Sequence, residues 1–256
     1  MSYAFSPDKF GLVEPDHDGP IILPGASRAE REVPRASTAH CTVTSVLGRG
    51  NGIRVQSESL LEFRHTLVFD TLENVIDMQE QVYFFYGPAN ANKVVFDLIL
   101  TLDDGTRIAC SMKPEIRLKS GRHIREMQEV AWWVREKGFA DEVRLFTEAD
   151  LDPVELFNAH IFSAVREADP EADAAAMAVV GRLEGARPLR DLTAEIGLQA
   201  RGRNALLRLL RDRVLRTVGH VRITPEVLVA RAEDGMGEGC PPPLIGGRDP
   251  FAVLAA

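Results

Sequence analysis

Three side chains in the first half of the chain have the types needed for metal-assisted hydrolysis: Glu62, Asp97 and Lys113. Asp97 stands inside the apolar run VVFDLIL, where an acid is costly to bury without a partner. Mg²⁺ or Mn²⁺ takes carboxylate oxygens and water as ligands. A bound cation activates a water and neutralises a phosphate, and a lysine can stabilise the developing negative charge. We therefore take all three as candidate catalytic residues, with Glu62 and Asp97 as the metal ligands.

The register of one hairpin decides whether two of these residues meet. FDLILTLDDGTRIACSMKP predicts two strands joined at an Asp-Asp-Gly turn. A three-residue loop with Gly105 in the left-handed conformation places Asp97 opposite Ser111, with Lys113 on the same face. A two-residue loop would place Met112 opposite Asp97 and turn Lys113 away. The hypothesis of a site therefore depends on the longer loop.

Each candidate also has a structural interpretation. Ser59-x-x-Glu62 fits a capping box at the start of a helix. Asp97 could face water from an edge strand, and Lys113 could simply end a strand in solvent. Gln81 is a possible accessory residue of the site, with an exposed strand start as its alternative.

The surrounding sequence predicts an α/β domain. SESLLEFRHTLVFDTLENV and HIREMQEVAWWVREKG have helical periodicity, whereas QEQVYFFYG, the hairpin and EVRLFT are typical of strands. The order helix, strands, helix, strand suits an α/β or α+β domain with a central sheet. A short hairpin or loop is expected between Thr42 and Val55.

After about Pro153 the pattern becomes helical and predicts a small winged helix-turn-helix domain. LRTVGHVRIT, around Gly219, is interpreted as a two-stranded wing. The expected helices are Asn158–Val165, Asp173–Leu183, a short one from Pro188 to Gly197, and Arg201–Arg213.

This second region is basic although the whole chain carries a formal charge of −8. From Gly181 to Arg231 there are eleven arginines, no lysines and five acidic residues, a balance of +6. Arginine and asparagine suit the edges of guanine and adenine, and arginines on a wing suit phosphates. The alternative is a winged helix used for protein contacts. The candidate DNA-binding residues are Arg201, Arg203, Asn204, Arg208, Arg216 and Arg222.

Composition and turn signals set the remaining expectations. Residues 1–40 are interpreted as a flexible arm, 41–155 as the sheet domain, 156–232 as the winged helix and 233–256 as a flexible tail. No apolar run has the length of a membrane span, and no signal peptide is visible, so a cytoplasmic protein without a membrane partner is expected. Cys41, Cys110 and Cys240 are too scattered for a zinc site or a disulfide framework.

The runs ESLLEFRHTLVF, EQVYFF and FDLILTLDDGTRIACSMKP together resemble the TnsA-type endonucleases of transposons, members of the PD-(D/E)XK, or restriction-endonuclease-like, superfamily. The family pattern is a helix-borne Glu, a strand Asp, a turn ending in Gly, and (E/Q)-x-K. It falls here on Glu62, Asp97, Asp104-Gly105 and Lys113. The resemblance covers about residues 43–230 and implies an α/β fold, with a restriction-endonuclease-like central mixed sheet flanked by helices and a C-terminal winged helix. The activity it implies is that of a Mg²⁺-dependent DNA endonuclease. It further implies double-stranded DNA as substrate, and transposition or recombination beside a partner transposase or recombinase.

One position departs from this pattern. Ser111 stands where the family has Glu or Gln, and a hydroxyl is a poor metal ligand beside a carboxylate. Glu115 or Glu126 could supply the missing acid. The alternatives are a catalytically impaired, DNA-binding scaffold or regulator with a nuclease fold, and a packaging or regulatory factor of a phage or mobile element.

Overall fold

The computed structural model describes residues 23–33, 41–232 and 245–251. They form a mixed α/β structure with a central four-stranded sheet between helices, as the sequence predicts. No helix in these residues is long and apolar enough to cross a membrane. The elements up to the last strand of the sheet are β1 (Val43–Leu47), β2 (Ile53–Ser57), α1 (Leu60–Phe69), β3 (Val75–Tyr86), β4 (Asn92–Leu102), β5 (Arg107–Met112), α2 (Glu115–Leu118), α3 (Arg122–Glu136) and β6 (Glu142–Phe146).

The central sheet has the order β3-β4-β5-β6. Its first three strands are antiparallel neighbours, and β6 runs parallel to β5. A parallel pair needs a crossover, which α2 and α3 provide here. The N-terminus of α3 consequently lies close to the end of β5, where Lys113 follows the strand.

Two apolar clusters hold the helices against opposite faces of the sheet. One joins Phe84 and Phe96 to Met127 and Val130 of α3. The other joins Phe69 of α1 to a set of buried strand residues. Phe96 belongs to the α3 cluster and Leu98 to the α1 cluster, although residues two apart in a regular strand share a face. The alternation of side chains along β4 is therefore interrupted at Asp97, so that Phe96 and Leu98 face opposite sides of the sheet.

The C-terminal region has its own core. Its elements are α4 (Pro153–Ser163), α5 (Pro170–Val180), β7 (Arg187–Pro188), α6 (Leu189–Ile196), α7 (Gln199–Arg211), β8 (Leu215–Thr217) and β9 (Leu228–Arg231). The three short strands form an antiparallel sheet in the order β7-β9-β8. One cluster, mostly of buried leucines, valines and alanines, joins α5, α6 and α7 to β8 and β9. Gly197 ends α6 in the left-handed conformation (φ 77°), as predicted.

Three details of this region differ from the sequence prediction. The second strand of the hairpin is Leu228–Arg231, not VRIT, because the loop between is held to α4: Asn158 accepts from the Ile223 amide (2.8 Å). The strand β7 was not predicted, since two residues are too few for a periodic signal. The boundary predicted after residue 155 falls inside α4, which begins at Pro153 behind its cap Asp152.

Parts of both predicted terminal extensions pack on the sheet domain. Gly25 pairs with Ile53, and the Arg28 guanidinium forms an ion pair with Asp77 (2.5 Å). Near the other end, Arg248 exchanges two backbone hydrogen bonds with Leu145 of β6 (2.8 and 2.9 Å). Residues 23–33 and 245–251 of the predicted flexible arm and flexible tail therefore make defined contacts with the sheet domain. The rest of both extensions lies outside the described residues.

Candidate active site

The hairpin has the register on which the site hypothesis depends. Leu98 pairs with Cys110, and the same alignment brings Asp97 opposite Ser111. The turn has three residues, and Gly105 is left-handed (φ 87°). Lys113 Nζ lies 3.4 Å from Asp97 Oδ2. The predicted meeting of these two side chains is confirmed.

Asp97 is buried within the sheet, not exposed at an edge. It is 8% exposed, and β4 has a neighbouring strand on each side. Its Oδ2 accepts a hydrogen bond from the Met112 amide (2.6 Å) as well as from Lys113. Burial raises the pKa of Asp97, and the Lys113 ammonium works in the opposite direction. The interpretation of Asp97 as a water-facing residue is therefore wrong.

Glu62 caps its helix and also faces the site. Its carboxylate accepts from the Glu58 amide (2.8 Å) and from the Ser59 hydroxyl (2.9 Å), and its own amide donates to that hydroxyl (3.2 Å). The bond to Glu58, one residue before the N-cap, is a variant of the capping box. The cap fixes the first turn of α1, so that the Glu62 carboxylate is held in place before any ligand arrives.

The two acids interact electrostatically. Burial, with a further contribution from the Asp97 charge, raises the pKa of Glu62 to about 7, although the bonds to Glu58 and Ser59 and the Lys113 charge oppose the shift. Two buried carboxylates next to one ammonium leave an excess of negative charge. Titratable groups perturbed in this way are concentrated at functional sites.

Gln81 connects this pair to the N-terminal segment. It is fully buried in β3 and left-handed (φ 53°), so that the expectation of an exposed strand start is wrong. Its Nε2 donates to Glu62 Oε2 (3.3 Å), and its Oε1 accepts from Arg31 (2.8 Å). Arg31 also forms an ion pair with Glu58. Gln81 thus lies beside the site as proposed, as a residue that orients Glu62.

Ser111 has a neighbour that the sequence reasoning missed. Its hydroxyl lies 3.3 Å from His123 Nε2, and His123 Nδ1 lies 3.4 Å from Glu126 Oε2. Burial, and then the charge of Lys113, lowers the pKa of His123. The signal that could have found His123 was its place at the start of the crossover helix, next to the end of β5.

One cavity of about 730 Å³ borders this group of residues, and Asp97 is not among those that line it. Glu62, Lys113, His123 and Glu126 all contribute to its wall. Glu115 is not among the lining residues, and its carboxylate lies 3.6 Å from Arg248. Of the two acids suggested as replacements at the position of Ser111, only Glu126 therefore lies on the cavity.

The donor set suits a cation that keeps much of its water. Within the described residues, no group of three or more His, Cys, Asp or Glu side chains is arranged to hold a metal ion. Mg²⁺ is commonly bound through one or two carboxylates together with waters and substrate phosphates. Glu62 and Asp97 meet this smaller requirement, and their excess negative charge is the property that a divalent cation would compensate.

Two of the predicted DNA-binding arginines are paired with acids of their own region. Arg201 binds Asp169 and Glu171 (both 2.7 Å). Arg208 is 7% exposed, forms an ion pair with Asp173 (2.6 Å) and donates to the Glu167 carbonyl (2.9 Å). The prediction that Arg208 contacts DNA is not supported, because the residues at the start of α5 and just before it cover its side chain. Both arginines are structural in this fold.

The other four candidates have different surroundings. Arg203 and Asn204 are half-buried in the first part of α7. Arg216 is half-buried on β8, and its Nε is buried without a hydrogen-bond partner in the described part of the chain. Arg222 is exposed, with its guanidinium 5.1 Å from the centre of the Phe157 ring. These four remain candidates for contact with DNA.

Comparison with known proteins adds no further information on this site. No protein-family model matches the chain, and no curated protein matches it.

Proposed function

We propose that the protein is a Mg²⁺- or Mn²⁺-dependent DNA endonuclease of the TnsA-like, restriction-endonuclease-like type. The observation that carries the proposal is the contact of Lys113 with Asp97 (3.4 Å) next to Glu62, whose pKa the Asp97 charge helps to raise, with Glu62 and Lys113 on the wall of one cavity. The mixed sheet with one parallel edge pair and a carboxylate on its second strand supports it. The transposition or recombination setting, with a partner transposase, rests on the sequence resemblance alone.

In this proposal each side chain has a distinct task. Glu62 and Asp97 hold the cation, which would lower the pKa of a water and neutralise phosphate charge. The Met112 amide and Lys113 converge on Asp97 Oδ2 and so orient that carboxylate. Lys113 is then placed to stabilise charge that develops on the phosphate oxygens. Gln81 and the cap keep Glu62 from turning away.

The C-terminal region is proposed to be a winged helix that holds the duplex. The order α5, β7, α6, α7, β8, β9, with β9 in the middle of the three strands, supports this assignment. Its basic surface is smaller than the sequence predicts, since Arg201 and Arg208 are paired. Arg203 and Asn204 of α7 remain as candidates for base contacts. Arg216 of β8 and Arg222 of the following loop remain as candidates for phosphate contacts.

A second candidate function is a non-cleaving DNA-binding scaffold or regulator. Ser111 favours it, because the position opposite Asp97 carries a hydroxyl that contacts His123 in place of a third metal-facing acid.

A nicking assay on supercoiled plasmid separates the two candidates. We expect cleavage by the wild type with Mg²⁺ or Mn²⁺ and none in EDTA. We expect Asp97→Asn, which keeps an acceptor for the Met112 amide, to lower the rate on the order of 100-fold or more. Arg201→Gln is the matched control, since it lies outside the cavity. If the wild type binds duplex DNA but does not cleave it with either metal, the non-cleaving scaffold is favoured.

A further inference from the structure

We propose that the segment from the end of β5 into α3 is a second DNA-contacting surface, which binds the phosphate backbone of double-stranded DNA beside the cavity. We name it the basic rim and define it by Arg117, Lys119, Arg122 and Arg125. The proposal rests on the nuclease function and adds to it the place where the substrate is held for cleavage.

The basic rim is the densest run of uncompensated positive charge in the described sheet domain. Between residues 113 and 125 there are five Lys or Arg side chains and one acid, and over 113–137, which includes all of α3, there are seven and four, a balance of +3 in a chain of formal charge −8. All four rim side chains are exposed. None of them forms an ion pair or a side-chain hydrogen bond within the described residues. The one acid, Glu115, is paired with Arg248 (3.6 Å).

The basic rim lies next to the acids of the candidate site, where its positive charge could hold a substrate phosphate. Arg117 and Arg122 line the same cavity as Glu62 and Lys113. The cavity wall thus includes Glu62, which would help to hold a cation, and the guanidinium groups of Arg117 and Arg122, which form no ion pair among the described residues. Arg122 and Arg125 are three residues apart on α3 and so lie on one face of that helix. A phosphodiester backbone needs this combination: cations along its path and a metal at the cleaved bond.

Electrostatics favours a polyanion over a small anionic ligand on this surface. Exposed arginines bind phosphates through charge and paired N–H donors, and each contact with a duplex releases condensed counterions. Four separated cations along a helix and the turn before it would follow a strand and would not enclose a single phosphate. Basic side chains beside an acidic pocket would also offset the repulsion between DNA and the acidic remainder of the chain.

The test measures affinity without cleavage. Fluorescence anisotropy of a labelled duplex of about 30 base pairs is followed in EDTA over a series of salt concentrations. The variants are Arg117→Gln/Arg122→Gln for the basic rim and Arg203→Gln/Arg222→Gln for the C-terminal region. Thermal melting of each variant verifies that the fold is retained. A single-stranded probe and a duplex RNA of the same length are included.

We expect the rim variant to bind duplex DNA on the order of 10-fold more weakly and to lower the slope of log affinity against log salt by about 2. Unchanged affinity and slope in the rim variant, or equal loss on duplex RNA and DNA, would overturn the inference. The proposed function fails separately, if the wild type binds through the rim but never nicks plasmid with Mg²⁺ or Mn²⁺. If the wild type nicks plasmid but only the Arg203→Gln/Arg222→Gln variant binds duplex DNA more weakly, the inference about the basic rim is refuted and the proposed nuclease function stands.

Discussion

The two basic regions of this chain carry similar sequence signals but differ in what their charges do. In the C-terminal region, Arg201 and Arg208 are bound to acids at the start of α5. In the basic rim, the four cations are exposed and have no acidic partner among the described residues. The first set of charges contributes to folding, whereas the second remains for a ligand.

The difference shows how a charge count depends on the boundaries chosen for it. Residues 181–231 have a balance of +6, but residues 153–232 contain twelve arginines and ten acids, a balance of +2. The five acids between 153 and 180 lie just before the basic run, and three of them accept from its arginines. Charges should therefore be counted over a folding unit before a surface is inferred.

The largest expected effect of this pairing is on stability. We expect Arg208→Ala to lower the free energy of unfolding by about 3 kcal/mol, because it leaves Asp173 and the Glu167 carbonyl without their buried partner. Urea denaturation followed by circular dichroism measures the change. Arg201→Ala is the matched control with a much smaller effect, since its ion pairs are exposed. If the two substitutions lowered the free energy of unfolding equally, the distinction between the buried Arg208 and the exposed Arg201 would be wrong.

A smaller effect on the free energy of unfolding is expected from Glu62 and Asp97 in protein without metal. Since folding raises the pKa of Glu62 to about 7, the folded chain holds a proton that the unfolded chain has released. Stability therefore decreases as the pH rises from about 4.5 to about 7. Asp97, whose pKa is also raised, acts in the same direction.

We expect Glu62→Gln to reduce this decrease by roughly 1–2 kcal/mol, because glutamine keeps the cap but carries no charge. Urea denaturation in EDTA at pH 5 and pH 8 measures it for both proteins. His65 and His123, whose pKa values are lowered, contribute with the opposite sign, so the difference between variant and wild type is the relevant quantity. A variant that lost stability equally at both pH values would show that Glu62 acts only as a cap.

Local signals predicted the hairpin well. The turn residues allowed a three-residue or a two-residue loop, and alternation of the strands then showed that only the three-residue loop pairs Asp97 with Lys113; the structure has that loop. Ser59-x-x-Glu62 likewise predicted a cap, and spacing alone could not reveal that the same carboxylate also faces the cavity.

What the sequence could not supply depends on contacts between distant residues. Arg208 meets Asp173 across two helices, 35 residues apart, and no periodicity records such a pair. His123 reaches Ser111 because the crossover returns α3 to the end of β5. Segments 23–33 and 245–251 lack periodicity and read as loops, yet backbone hydrogen bonds to the sheet domain hold both.

Titration of metal-free protein with Mn²⁺ at pH 8, followed by calorimetry, tests the central claim most directly. The account predicts one saturable site per chain in the wild type and in Arg208→Lys, with affinity lowered at least about 10-fold in Asp97→Asn and in Glu62→Gln. Equal Mn²⁺ affinity in the wild type and in both carboxylate variants would contradict it.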